Sequence, residues 1–234
     1  MAKRTVVGRH SVLEALKMRP HAVSNLCVGE TFESKKWSKE FLSLARRAQI
    51  KTQIQKEKYF NKLSQVSQGV ACEVSEDPEW PDENSDKLFL LALDGVEDPH
   101  NFGAILRTAW LMGVDGILLP EKESAPMTAT VCKVASGGAE HVPIMRVKNL
   151  KQEIDNLKKK GFWSYALAVD EKAQDIKSVV KSEKTILIAG AEESGIRHTL
   201  IKDSDFKVYI PQTDAAASLN VSVSVAVGVW TLKP

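Results

Sequence analysis

The chain has 234 residues, of which 43% are apolar and 26% charged, and carries a net charge of +2. That length and apolar content suit one large domain or two smaller ones with a sizeable core. Its three cysteines, Cys27, Cys72 and Cys132, lie 45 and 60 residues apart; this spacing excludes a paired metal-ligand motif, and an odd number argues against a disulfide framework, which leaves a reducing cytoplasm.

The N-terminus is basic but lacks the apolar run of a signal peptide. Short apolar runs at residues 5–7, 26–28, 51–54 and 69–74 predict strands. Between them, residues 35–48 and 56–65 carry helical patterns. Ser11 precedes VLEALKM with Glu14 three positions later, which predicts a capping box at the start of a first helix. Together these elements predict a small α/β domain over residues 1–74.

Charge divides the chain unevenly. Residues 1–74 carry 14 Lys and Arg against six Asp and Glu, while residues 75–86, SEDPEWPDENSD, carry six acidic residues and no basic one. The second stretch reads as an acidic linker. A basic first segment is what phosphate contacts require, although a surplus of lysines also makes an ordinary solvated surface.

From residue 87 to 234 a larger alternation follows. Strands are predicted at 88–93, 116–119, 142–147, 163–169, 185–189 and 207–210, with helices at 101–112, 128–135, 150–160 and 218–230. LFLLAL and TILIA are continuous apolar runs, as expected of strands in a parallel sheet covered on both faces by helices. Residues 215–232 lack charge for 18 positions, but Ser218, Asn220, Ser222, Ser224 and Thr231 interrupt them. A helix buried in a core or a subunit interface fits better than a membrane span.

In open α/β sheets, ligands bind beyond the C-terminal strand ends. Three such ends are polar here: DGVEDPHNFGAILR, GAEESG and IPQTDAAASLN. Neither GxGxxG nor a GxxxxGK[ST] loop follows a strand, and the five histidines form no metal-spaced cluster.

Those strand ends carry a family resemblance. Asn101-Phe-Gly103-Ala-Ile-Leu-Arg107 resembles the first motif of the SpoU (TrmH) branch of the SPOUT methyltransferases. Gly190-Ala-Glu192-Glu-Ser-Gly195 resembles the second, and Ile210-Pro211 with Ser218-Leu219-Asn220-Val221-Ser222 the third. Gly8-Arg-His10-Ser-Val12-Leu-Glu14-Ala-Leu16 and Gln68-Gly69-Val70-Ala71 resemble the start and end of the family's small substrate-binding domain, itself similar to ribosomal proteins that bind kinked RNA. The overall pattern is most similar to the bacterial subgroup acting on a guanosine ribose of 23S rRNA. The resemblance implies a C-terminal parallel-sheet domain with a deep trefoil knot, S-adenosylmethionine (AdoMet) as methyl donor, RNA as partner and a homodimer.

It also implies roles for residues. Asn101, Arg107, Glu192, Ser218 and Asn220 fall at catalytic positions; Gly190, Ile210 and Leu219 fall at positions that hold AdoMet; no metal is implied. Each has a plainer reading. Asn101, Ser218 and Asn220 are candidate helix caps, Glu192 a carboxylate favoured at a helix start, Arg107 a surface cation, and Gly190, Ile210 and Leu219 ordinary core. Arg107 is a poor proton acceptor, because a guanidinium stays protonated in proteins, so holding a phosphate or stabilising oxyanion charge suits it better. Asp214 stands where the third motif usually has glycine. The chemistry needs positioning and loss of a hydroxyl proton, not a metal. Competing readings are the same reaction on tRNA, a non-catalytic RNA-binding ribosome-assembly factor, and a small-molecule methyltransferase, which needs no basic first segment.

Overall fold

The computed structural model describes residues 3–63, 67–168, 170, 172–213 and 218–234. The chain divides into two compact units, Met1–Pro78 with Pro126–His141, and Glu79–Ala125 with Val142–Pro234.

In unit 1, β1 (Arg4–Val7), β4 (Val70–Val74), β2 (Val23–Gly29) and β3 (Lys51–Gln55) form a sheet in the order β1-β4-β2-β3. Its first two pairings are antiparallel and β2–β3 is parallel. Helices α1 (Arg9–Met18), α2 (Ser38–Arg47) and α3 (Glu57–Leu63) accompany it. The expected capping box is not formed. Gly8 is the N-cap, with φ of 95°, and Ser11 lies inside the helix. Its buried hydroxyl donates to the Cys132 carbonyl at 2.7 Å, and Glu14 meets His141 Nε2 at 2.8 Å. Partners more than 100 residues away thus outcompete the local cap.

Those partners lie in residues 126–141, which a linear division at residue 87 would assign to the second domain. Thr128 caps α5 (Ala129–Ala135) through its Oγ1, and α5 packs on β1. Glu140, whose side chain is 0% exposed, receives Arg4 through both Nη atoms at 2.6 and 2.7 Å and Arg19 Nη2 at 2.5 Å. Burial opposes the charge on Arg4, but its hydrogen bonds and ion pair with Glu140 outweigh burial and hold its pKa above the ordinary value. The three cysteines are free and buried in this unit. Burial pushes the Cys132 thiol up to about 11, far from the thiolate a nucleophile or metal ligand needs.

The acidic stretch after β4 has no regular secondary structure, yet it is fastened. Asp77 pairs with Arg4 at 2.9 Å. In unit 2, Trp80 packs against the sheet and donates to Glu83 at 2.8 Å, and Glu83 also pairs with Lys160.

In unit 2, every strand pairing among the described residues is parallel. The seven strands are β5 (Leu88–Asp94), β6 (Gly116–Pro120), β7 (Ile144–Val147), β8 (Trp163–Leu167), β9 (Gln174–Asp175), β10 (Lys184–Gly190) and β11 (Phe206–Tyr209). Their order is β7-β6-β5-β10-β8-β11-β9. All seven residues of β5 are buried, which explains its unbroken apolar run. Helix α4 (Pro99–Leu111) packs on α8 (Val221–Leu232), and α8 on β10; α6 (Leu150–Lys158) lies on β6 and β8. A short α7 (His198–Asp203) precedes β11. From β5 the chain builds outward to β6 and β7, then returns past β5 to the other side. The switch point therefore lies between β5 and β10, where such sheets open a crevice at their C-terminal ends. Among the described residues no helix is long and apolar enough to cross a membrane.

Candidate functional site

Beside this switch point, on the β8 side of β10, unit 2 holds a cavity of about 410 Å³. It is walled by the C-terminal ends of β8, β10 and β11 and by the approach to α8. Gly190, Glu192, Ile210, Ser218 and Leu219 all line it.

Its tightest wall follows β10. Gly190 is in register with Asp94 of β5, and the chain turns back at once. Ala191 bridges Gly195, whose N–H donates to the Ala191 carbonyl at 3.0 Å. A Cβ placed on Gly190 would lie 2.1 Å from the Gly195 carbonyl carbon and 2.3 Å from the Ile196 nitrogen. Only glycine fits there. Asp94, buried at the end of β5, ties down the far end of the loop. It accepts from the Arg197 N–H at 2.8 Å and pairs with the Arg197 guanidinium at 2.6 Å. Sequence reasoning passed over Asp94; an acidic residue closing an otherwise apolar strand was the signal.

Three of the polar candidates meet. Asn220 Nδ2 donates to Asn101 Oδ1 at 2.9 Å and to Glu192 Oε1. Asn220 Oδ1 accepts from the Ser222 N–H at 2.9 Å and from the Ser222 hydroxyl at 2.6 Å, which caps α8. Asn220 is thus both a cap and a bridge between the other two motifs. Its amide orientation is fixed by those partners, because the oxygen faces donors and the nitrogen faces acceptors. Asn101 is not the cap of α4. Asp98 fills that place, accepting from the N–H groups of His100 and Asn101 at 3.0 and 3.3 Å. Ser218 precedes the helix and does not cap it; α8 begins at Val221, not at residue 218.

Arg107 stands apart. At 100° per residue it lies about 120° round α4 from Asn101, on the side away from buried Phe102, Ile105, Leu106 and Ala109. It is exposed and makes no hydrogen bond or ion pair with any described residue. One turn on, Leu111 is 68% exposed, and on α8 Trp230 is 79% exposed. Together with Met112, Val229, Lys233 and Pro234 these two line a second hollow, of about 420 Å³. Asp214 lies outside the described residues. Among those described, no cluster of His, Cys, Asp and Glu is arranged to hold a metal.

A parallel sheet with a glycine-walled cavity at its C-terminal strand ends, next to the switch point, and a carboxylate–amide cluster beside it defines an α/β protein with an enzyme-like ligand site. Comparison with known proteins assigns the family. Residues 88–230 match the model of the SpoU rRNA methylase family, and residues 5–80 match that for the RNA 2′-O ribose methyltransferase substrate-binding domain. The chain belongs to the SpoU rRNA methylase family. A TrmH family tRNA/rRNA methyltransferase of Staphylococcus haemolyticus is 35% identical over 231 residues, covering 94% of this chain and 91% of the relative. Among solved structures, the SpoU methyltransferase AviRb from Streptomyces viridochromogenes, in complex with AdoMet, superposes with a TM-score of 0.81 at 20% identity, covering 98% of this chain and 89% of that one. A TrmH/SpoU tRNA modifying enzyme of A. aeolicus gives 0.56 at 27% identity, covering 63% and 74%.

Proposed function

We propose that this chain transfers a methyl group from AdoMet to a ribose 2′-hydroxyl of RNA, a guanosine of 23S rRNA ahead of any tRNA ribose, acting as a homodimer in the cytoplasm. The observation that carries the reading is the bonded cluster of Asn101, Glu192 and Asn220, with Glu192 also in the cavity wall. Family membership and the basic charge of unit 1 support RNA as substrate, and the family's trefoil knot belongs to the same reading.

The cavity suits AdoMet. Its volume is within the range of small-molecule sites, and the main chain of Gly195 and Ile196, packed where a Gly190 Cβ would lie, forms part of its wall. Gly190, Ile210 and Leu219 would hold the adenosine part by main-chain groups and apolar contact. When bound, AdoMet supplies an already activated methyl group on a sulfonium. The protein's share is then to position the hydroxyl and take up charge. Glu192, oriented by Asn220, accepts the hydroxyl's hydrogen bond and favours loss of its proton. Asn101 and Ser218 complete the polar rim. Arg107 is too far round α4 to join its own chain's cluster, and it shares its exposed face with Leu111. In a dimer closed over Leu111 and Trp230, Arg107 would serve the partner's site, binding the target phosphate or the developing oxyanion.

Tritium transfer from labelled AdoMet to unmethylated 23S rRNA, and separately to tRNA, tests the reading. Label is expected in rRNA at one alkali-resistant ribose, falling about 100-fold in Asn220→Ala or Arg107→Ala. Label in tRNA alone would replace the substrate, and RNA binding without label would leave the assembly-factor reading. Mixing the two inactive variants separates the dimer arrangements. If Arg107 acts across the interface, heterodimers carry one intact site, and about a quarter of wild-type activity returns; if it acts within its own chain, none does.

A further inference from the structure

The two N-terminal motifs singled out in the sequence, at Gly8–His10 and Gln68–Ala71, have no part in the methyl-transfer site, yet unit 1 brings them together. The Gly8 N–H donates to the Val70 carbonyl at 3.1 Å, and the Arg9 N–H donates to Gln68 Oε1 at 2.9 Å. Positive φ at Gly8, Gln68 and Gly69 lets the two loops meet. Two lysines close on the same point. Lys133 Nζ donates to Gln68 Oε1 at 3.3 Å, and Lys35 Nζ donates to the Gln68 carbonyl at 2.5 Å. Trp37 holds two of the cations: the Arg9 guanidinium carbon and Lys35 Nζ each lie 5.3 Å from its ring centroid. The ring is itself braced by Phe32 and Phe41 at 5.1 and 5.0 Å.

What sets this cluster apart is its missing counter-charge. The buried guanidinium pair of unit 1, Arg4 and Arg19, is by contrast neutralised by Glu140, and Lys17 pairs with Glu40. Arg9, Lys35 and Lys133 have no carboxylate partner among the described residues; Lys35 and Lys133 meet the main-chain carbonyl and the side-chain oxygen of Gln68, and the Arg9 guanidinium lies over Trp37. The Arg9 Nε is buried without a hydrogen-bond partner. Partial burial, with no carboxylate beside it, lowers the pKa of the Lys133 ammonium. Cations held together without neutralisation are arranged for an anion.

We infer that Arg9, Lys35 and Lys133, held by Trp37 and Gln68, form a phosphate-binding site that grips the backbone of the RNA substrate. This rests on the reading of RNA as substrate given above. An RNA backbone fits better than an acidic protein segment because the donors are closely grouped at the junction of two loops; such contacts position a nucleic acid without reading its sequence. Lys133 is the informative member. It comes from the stretch between β6 and β7, so the RNA-gripping face of unit 1 is completed by a residue from the middle of the methylase sequence match.

The test uses the full chain with 23S rRNA and with unfractionated tRNA, measuring affinity over a range of salt. Each phosphate contact contributes a salt slope of about 0.7 to 0.9. Lys35→Ala with Lys133→Ala is therefore expected to lower the slope by about 1.5 and the affinity about tenfold at ~0.1 M salt. Lys35→Arg with Lys133→Arg is expected to restore both, which a merely structural role for the lysines would not predict. AdoMet affinity and thermal stability of the double alanine variant should match wild type. If wild type binds and methylates RNA while the double alanine variant keeps its affinity and slope, the site is refuted and the face is left to a protein partner. If wild type neither binds nor methylates RNA, the substrate reading falls and this inference with it.

Discussion

Gly190→Ala is expected to abolish AdoMet binding while Gly195→Ala, five residues on, largely preserves it. The added methyl at residue 190 would sit 2.1 to 2.3 Å from the Gly195 carbonyl group and the Ile196 nitrogen, all main-chain atoms with no rotamer to adopt. Relief requires opening the 191–196 loop, which is the cavity wall, against the Ala191–Gly195 bridge and the Asp94–Arg197 anchor. Overpacking of this severity costs about 3 kcal/mol or more, so AdoMet affinity should fall at least about 100-fold. Gly195 differs. Its φ of 65° disfavours alanine, but no described atom lies within 4 Å of the added Cβ. The cost is then backbone strain alone, about 1 kcal/mol. Calorimetric titration with AdoMet and thermal melting of both variants provide the comparison. Equal affinity in Gly190→Ala and wild type would mean that this loop is not the cofactor wall.

That contrast also marks how far the sequence reaches. The three polar strand ends, with Gly190, Glu192, Asn220 and Asn101 among them, were legible because strand ends in a parallel sheet converge, and local patterns placed the strands to within a few residues. The loop closure itself was not legible, because Asp94 and Arg197 are 103 residues apart and neither belongs to a recurring local pattern. The reading of Ser11 and Glu14 as a capping box failed for the same reason. Local spacing offered a cap, and Cys132 and His141 offered better partners. The helical pattern at residues 128–135 was read correctly as a helix, but periodicity says only that a face is buried, not against which sheet. Short elements escaped for another reason: β9 has two residues and α7 six, too few for a pattern.

The attachment of residues 126–141 to unit 1 leads to the second large effect. Glu140→Ala is expected to destabilise unit 1 by about 3 to 5 kcal/mol, because it removes the one carboxylate between two largely buried guanidinium groups. Arg4 keeps Asp77, which is exposed and answers only its Nε, and Arg19 keeps the main-chain carbonyl of residue 140. Neither replaces the lost charge. Glu140→Gln preserves volume and an acceptor but not the charge, and should recover only part of the loss. Replacing all three, Arg4→Met, Arg19→Leu and Glu140→Met, removes the uncompensated cations along with the carboxylate and should return stability to near wild type, since a buried ion cluster and an apolar one of similar volume are close in free energy. Chemical denaturation of the three variants measures this order directly. If Glu140→Ala and Glu140→Gln unfold together with wild type, the cluster does not hold the segment. The same variants should separate the two binding functions. The cavity proposed for AdoMet is built wholly from unit 2 residues, so cofactor affinity below the melting range should be retained in Glu140→Ala. RNA affinity should fall, because the helix that presents Lys133 is docked through the segment that Glu140 secures.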